Sequence, residues 1–225
     1  MSRMTGKLIA DSGLGRVEGI TRHQLFVHPD IPYTSKNSSA CLYIETDNEG
    51  ELIKECREFL LKNSADGSDA GLCLCREEFA GEEIVEWGRK AKKEVLTKQD
   101  AYSLAKRSGI YLEGLTGTKD GVIGALAAVG LRKGGNDGRF IWLKGKELRE
   151  LRGVMSVREL TGITGIERVQ TKDGEAPGNN DIIDPGDWIR PVLIDNKAVL
   201  IIEKSDHEEC KWKCVSKDYT KSISD

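Results

Sequence analysis

The chain holds 225 residues, with 34 Lys and Arg against 37 Asp and Glu and a formal net charge of -3. That length can bury the core of one large or two small domains. The near-cancelling charge excludes an attraction of the whole surface to nucleic acid or anionic lipid, so any such contact must be a local patch. No apolar run is long enough to span a bilayer, and Arg3, Lys7 and Asp11 around Leu8-Ile9-Ala10 leave no signal-peptide core; no membrane partner and a cytoplasmic location are expected.

Ala40-Cys41-Leu42-Tyr43-Ile44-Glu45 reads as the first strand, and residues 51–62 as a helix with Leu52, Cys56, Phe59 and Leu60 on one face. A polar turn over residues 63–69 leads to a strand at 72–75, on which Cys73 and Cys75 share one side as small core residues. Residues 82–106 read as a long helical region in which Glu82, Glu83 and Glu86 precede Arg89, Lys90, Lys92 and Lys93. That order suits the helix macrodipole and reads as a solvated face, with contact to RNA phosphates as the alternative. Ile110-Tyr111-Leu112 gives another strand, a glycine-rich turn opens a helix closed by Gly134-Gly135, and Phe140-Ile141-Trp142-Leu143 follows as a strand.

This alternation predicts an α/β fold, an α+β sandwich of the ferredoxin-like kind, over residues 1–145. Residues 188–194 and 198–202 flank the turn Asp195-Asn196-Lys197 as a hairpin. They mark residues 146–204 as a small C-terminal β-rich module, with residues 205–225 a flexible tail. The six cysteines read as reduced, since a chain of this size needs no disulfide scaffold. His207, Cys210 and Cys214, with Asp206, Glu208 or Glu209 beside them, come nearest to a metal set. Without a second cysteine pair they read as part of the charged tail, and no metal or cofactor is expected.

Two segments carry candidate chemistry. In the first, Glu113-Gly114-Leu115-Thr116-Gly117-Thr118-Lys119-Asp120-Gly121 runs into a helix of very small residues, including Gly124, Ala125 and Ala128. Its glycines let a backbone approach a ligand closely, and the start of the helix offers free N–H groups. The same residues, at helical spacing, also suit close packing on a sheet. In the second, Pro29 and Pro32 set an extended path before Ser35, Lys36, Asn37 and Ser38, whose groups can bind phosphate or carboxylate or simply hydrogen-bond a lead-in loop. His23 and His28 are placed on that loop. No nucleophile is paired with a base, so no catalytic residue is assigned, and neither a Walker A loop nor a Rossmann fingerprint is present. For a cationic ligand, Glu113 and Asp120 supply carboxylates and Tyr111 or Trp142 an aromatic face.

His28-Pro29-Asp30-Ile31-Pro32-Tyr33-Thr34-Ser35-Lys36-Asn37-Ser38-Ser39-Ala40, followed by Asp120-Gly121-Val122-Ile123-Gly124-Ala125-Leu126-Ala127-Ala128-Val129-Gly130, resembles the central region of archaeal tRNA-isoleucine agmatidine synthetase. The resemblance covers about residues 20–145, and it implies a ferredoxin-like domain that handles agmatine in an ATP-dependent modification of tRNA. The family's aspartate-rich nucleotide motif has no counterpart at Ala10-Asp11-Ser12-Gly13. The expectation is therefore a stand-alone relative lacking the kinase motif, a small-molecule-binding protein of tRNA modification with no ATP-dependent chemistry of its own. Its polyamine or guanidinium ligand would lie between Ser35, Lys36, Asn37 and Ser38 and the turn Thr116, Gly117, Thr118, Lys119, Asp120 and Gly121, with tRNA as a second partner. The alternatives are a nucleotide- or phosphate-using enzyme, with Lys36 and Lys119 neutralising charge, and an RNA-binding adaptor.

Overall fold

Local capping signals set many of the helix boundaries. Asn48 accepts from the Glu51 N–H at 3.1 Å, Thr97 from Asp100 at 3.2 Å and Ser156 from Glu159 at 3.2 Å, each opening a helix by satisfying an N–H that has no partner within it. The computed structural model describes residues 1–33, 36–207 and 210–224. Its first half runs α1 (Ser2–Asp11), β1 (Arg16–Gln24), β2 (Ser38–Glu45), α2 (Glu49–Asn63), β3 (Gly71–Leu74), α3 (Glu82–Lys90), α4 (Lys98–Arg107), β4 (Tyr111–Gly114), α5 (Gly121–Gly134) and β5 (Arg139–Leu143). There follow β6 (Lys146–Glu147), β7 (Met155–Ser156), α6 (Val157–Thr164), β8 (Arg168–Thr171), β9 (Ile182–Asp184), β10 (Val192–Ile194), β11 (Lys197–Lys204), β12 (Trp212–Cys214) and α7 (Lys217–Ser224).

The fold is mixed α/β, with seven helices and a large mixed sheet in the order β2-β1-β5-β10-β11-β12-β9-β7 among the described residues. β6 adds to β5, β8 pairs β11 in parallel, and β3 and β4 form a separate antiparallel ribbon. One layer of the core joins Ile9 of α1, Ile20 of β1 and Leu52 and Cys56 of α2. On the opposite side α3, α4 and α5 pack together through Ile84, Trp87, Leu104 and Leu126. A third cluster, containing Leu160, Ile183, Leu200 and Ile202, begins on Phe140 and Leu143 of β5.

Three expectations change. Residues 21–24 are not loop but the end of β1, paired with β2 from Arg16↔Glu45 to Gln24↔Ser38. Their polar side chains conceal the strand, because they are satisfied inside the fold: His23 is fully buried, bonded through Nε2 to Thr21 and through Nδ1 to Asp137, each at 2.8 Å. Next, the long helix over residues 82–106 is two helices. The Ala91 carbonyl accepts from Phe26 at 3.0 Å, Lys92 is drawn to Asp137, and Thr97 starts a new helix.

The third change concerns residues 210–224, expected as a tail, which form β12 and α7 and bury Cys210, Trp212, Val215 and Thr220. The indole of Trp212 and the ammonium of Lys211 both donate to Asp181 at 2.9 Å, and these bonds with the Gly178 N–H hold that carboxyl down at about 2. The hairpin of β10 and β11 turns at Asp195 and Asn196, both at positive φ, as the sequence indicates. The 145/146 boundary falls inside the β5–β6 pairing, where Trp142 faces Glu147, and β5 bonds onward to β10.

Candidate functional site

β2 and β3 both lie against α5, yet β2 pairs only with β1 and β3 only with β4. A cavity of about 1620 Å³ opens between them, lined by all of β2, by residues 67–77, by Leu52, Ile53 and Cys56 of α2 and by Gly121, Gly124, Ala125 and Ala128 of α5. Small side chains on α5 are what leave this space. The cleft follows the helix from Asp120 to Arg132, about 18 Å at the α-helical rise.

Thiols and apolar side chains line much of it. Burial pushes the thiols of Cys41 and Cys75 up to about 11 and that of Cys73 higher still, so all three stay protonated beside Leu42 and Leu72. The ends carry charge. Near the start of α5, Asp69 and Asp120 share the Thr118 hydroxyl, with oxygen separations of 2.8 and 2.5 Å. One hydroxyl has one proton, so it serves one carboxylate at a time, and Asp69 accepts in addition from the Thr118 N–H. Lys98 lies at this end, donating to the Thr118 carbonyl at 2.6 Å and standing 3.3 Å from Asp120. At the far end Arg132 covers the Tyr43 ring at 5.2 Å, and Tyr43 and Lys133 both donate to Glu77.

The two sequence segments both reach this cleft. Lys36, Asn37, Ser38, Asp120 and Gly121 all line the cleft, whereas Thr116, Gly117, Thr118 and Lys119 stand behind it. Ser35 lies outside the described residues. Asn37 is committed to the Phe26 carbonyl at 2.6 Å, and Ser38 accepts from Arg22 at 3.0 Å. Thr116 is likewise internal, bonded to Ser68 and Ala70. A Cβ on Gly117 would meet Asp69 Oδ1 at 1.9 Å, and one on Gly121 the Asp69 carbonyl at 2.1 Å. These glycines admit the chain at residues 68–71, and that approach brings Asp69 to Asp120.

Asp69 and Lys98 are the site residues that sequence reasoning missed. No local signal marks them, since each reaches the turn from a distant segment. Glu113 is tied to Arg57 at 3.0 Å and to Tyr111, away from the cleft, and Trp142 belongs to the apolar layer under β1. His23 is no exposed loop histidine, as its burial in β1 shows. Cys210 is buried and Cys214 half-buried, and Glu208 and Glu209 lie outside the described residues. Among the described residues no three His, Cys, Asp or Glu side chains are grouped to hold a metal ion, and no helix is long and apolar enough to cross a membrane.

These features define a mixed α/β protein with a groove larger than an ordinary small-molecule pocket, lined in part by apolar side chains and thiols, with two carboxylates and one lysine at one end. No family model matches the chain, and no curated protein matches it. Solved structures do. The chain is similar to a tRNA fluorescent labeling enzyme, at 28% identity and a TM-score of 0.50 over 57% of this chain and 31% of that one. It is similar also to TiaS, a tRNA agmatidine synthetase, in its complex with its tRNA and ATP, at 27% identity, a TM-score of 0.50 and the same coverage of 57% and 31%. A TiaS complex with tRNA, AMPCPP and agmatine gives 26% identity and a TM-score of 0.49 over 57% and 31%. The chain is thus related to TiaS, and it spans under a third of the length of these structures.

Proposed function

We propose that this chain is a cytoplasmic, tRNA-modification-related protein that binds an aliphatic amine or guanidinium ligand of the agmatine type in the cleft along α5. The observation that carries the reading is the placement of Asp69 and Asp120 together at the end of a groove that offers apolar side chains and thiols along α5. A guanidinium would pair with these carboxylates, and its methylene chain would lie against Leu42, Leu72 and Ala125. The relation to TiaS supports the ligand class, and the order β2-α2-β3-α3-α4-β4-α5-β5, which is βαββαβ once α3 and α4 are set aside as an insertion, supports a ferredoxin-like core with β1 lying between β2 and β5. The carboxylates also set a sign. Asp69 and Asp120 outnumber the one ammonium paired with them, that of Lys98, so the reading expects a cation at the start of α5 and no ATP turnover by this site.

Thermal unfolding against agmatine, spermidine, ATP and phosphate tests it. Agmatine at a hundredfold excess over its Kd should stabilise the folded chain by about 2.7 kcal/mol. The response should vanish in Asp69→Asn/Asp120→Asn. Stabilisation by ATP or phosphate, with none from the amines, would reverse the assignment.

A further inference from the structure

In the densest run of basic residues, between Arg89 and Arg107, four of the seven are matched within the fold. Arg89 lies 2.8 Å from Glu82, Arg107 3.2 Å from Glu83, Lys98 3.3 Å from Asp120, and Lys92 is bonded to Asp137. A second concentration of charge is not matched. The guanidinium carbons of Arg149 and Arg190 stand 4.6 and 4.3 Å from the centroid of the Trp188 ring. Arg190 Nη1 donates to the Trp188 carbonyl at 3.1 Å, while its Nε is buried without an acceptor.

Among the described residues neither Arg149 nor Arg190 has a carboxylate within 4.0 Å. Arg3 and Arg139 are the like charges that act on Arg149, and Arg139 and Arg149 those that act on Arg190. Burial, then these like charges, pull both guanidiniums below their ordinary pKa. The acidic neighbours are Glu147, already bonded to Arg3 at 2.9 Å, and Asp187. Arg152, which donates to the Leu151 carbonyl at 2.8 Å and to that of Arg149, extends the positive surface.

The guanidiniums of Arg149 and Arg190 gather on one indole ring with no carboxylate among the described residues within 4.0 Å of either, and an anion bridging them would relieve their mutual repulsion. We infer that the Arg149–Trp188–Arg190 cluster is an interaction surface for the phosphodiester backbone of RNA. The guanidinium fork fits two phosphate oxygens, and an indole beside it offers apolar surface to a sugar or base. Arg149 is exposed and Trp188 and Arg190 are half-buried, an open arrangement that a continuous strand can cross. That the polyanion is RNA rests on the tRNA-related reading above; the cluster itself lies apart from the cleft, with none of its residues lining it.

The test is a titration of unmodified tRNA against the full chain over a range of salt. Arg149→Gln/Arg190→Gln should weaken binding about tenfold and flatten the log-log salt slope by about 0.7 to 0.9 for each phosphate no longer neutralised. The Arg149→Lys/Arg190→Lys pair should restore the slope, and Arg89→Gln/Arg107→Gln should leave it unchanged. Arg149→Gln alone, at an exposed side chain, provides the same readout if the double variant does not fold. Unchanged affinity and slope in the glutamine variants overturn the cluster while leaving the cleft reading intact. Failure of the full chain to bind tRNA at low salt overturns both the cluster and the tRNA relation. Binding of inorganic phosphate or ATP at this cluster without tRNA overturns the backbone assignment.

Discussion

Helix α5 is closed on one side and open on the other. Against α3 the two helices meet backbone to backbone: a Cβ on Gly130 would lie 1.9 Å from the Ile84 carbonyl oxygen, and one on Gly88 2.7 Å from the Leu131 nitrogen. Toward β2 the same addition at Gly124 meets only side chains, Leu25 at 3.1 Å and Ser39 at 3.7 Å. One stripe of small residues therefore does two things. Where the neighbour is backbone it allows contact, and where the neighbouring strands stand apart it leaves a groove.

The largest effect should come from filling the closed side. Gly130→Val places three carbons where a carbonyl already sits, and α3 cannot withdraw without opening the contacts of Ile84 and Trp87. Urea unfolding should show a loss of at least about 3 kcal/mol, a large share of the stability of an ordinary domain. A loss below about 1 kcal/mol would mean that the helices do not meet this closely.

Filling the open side should separate binding from folding. Ala125 is half-buried on the cleft wall, so Ala125→Leu should cost under about 1.5 kcal/mol while abolishing the thermal response to agmatine. A variant that keeps its response would move the ligand out of the cleft.

The two sides were unequally legible in the sequence. Periodicity marks β2, α2, α5, β5 and the β10–β11 hairpin, because their apolar residues face cores directly. It misses β1, where Thr21 and His23 are buried polar groups with internal partners, and the α3–α4 break, which depends on Phe26 and Asp137 arriving from elsewhere. It also misses β12 and α7, whose anchor is the distant Asp181. In the cleft, the turn at Asp120 and the lead-in at Lys36 stand out as motifs. Asp69 does not, since its position depends on the packing of Gly71 against Gly121.

The buried end of β1 should also respond to pH. His23 is fully buried and its pKa lies below the ordinary 6.5, because desolvation outweighs the pull of Asp137. Below about pH 6.5 the unfolded chain takes up a proton that the folded chain refuses, so this histidine's contribution is complete above that pH and declines as pH falls toward its folded value. The slope is at most about 1.4 kcal/mol per pH unit. His23→Gln keeps a polar group near Asp137 but does not titrate. Its stability deficit against the parent chain, measured by urea unfolding from pH 7.5 to 5, should therefore narrow with acid. A constant deficit would show that the imidazole titrates alike in both states.

The smallest expected effect lies at the acidic end of the open side. Lys98 is an internal cation on Asp120, 3.3 Å away with its side chain one-third exposed, and an incoming guanidinium must share that carboxylate or displace the ammonium. Partly exposed ion pairs contribute about 0.2 to 1 kcal/mol, so removing this competitor should tighten agmatine binding about threefold. Lys98→Met keeps the apolar stem and removes the charge. Calorimetric titration of agmatine against the parent and this variant gives the comparison, with Asp120→Asn expected to weaken binding in the opposite direction. A weaker affinity in Lys98→Met would mean that the ammonium serves the ligand rather than competing with it, and the site at the start of α5 would then be assigned to an anion.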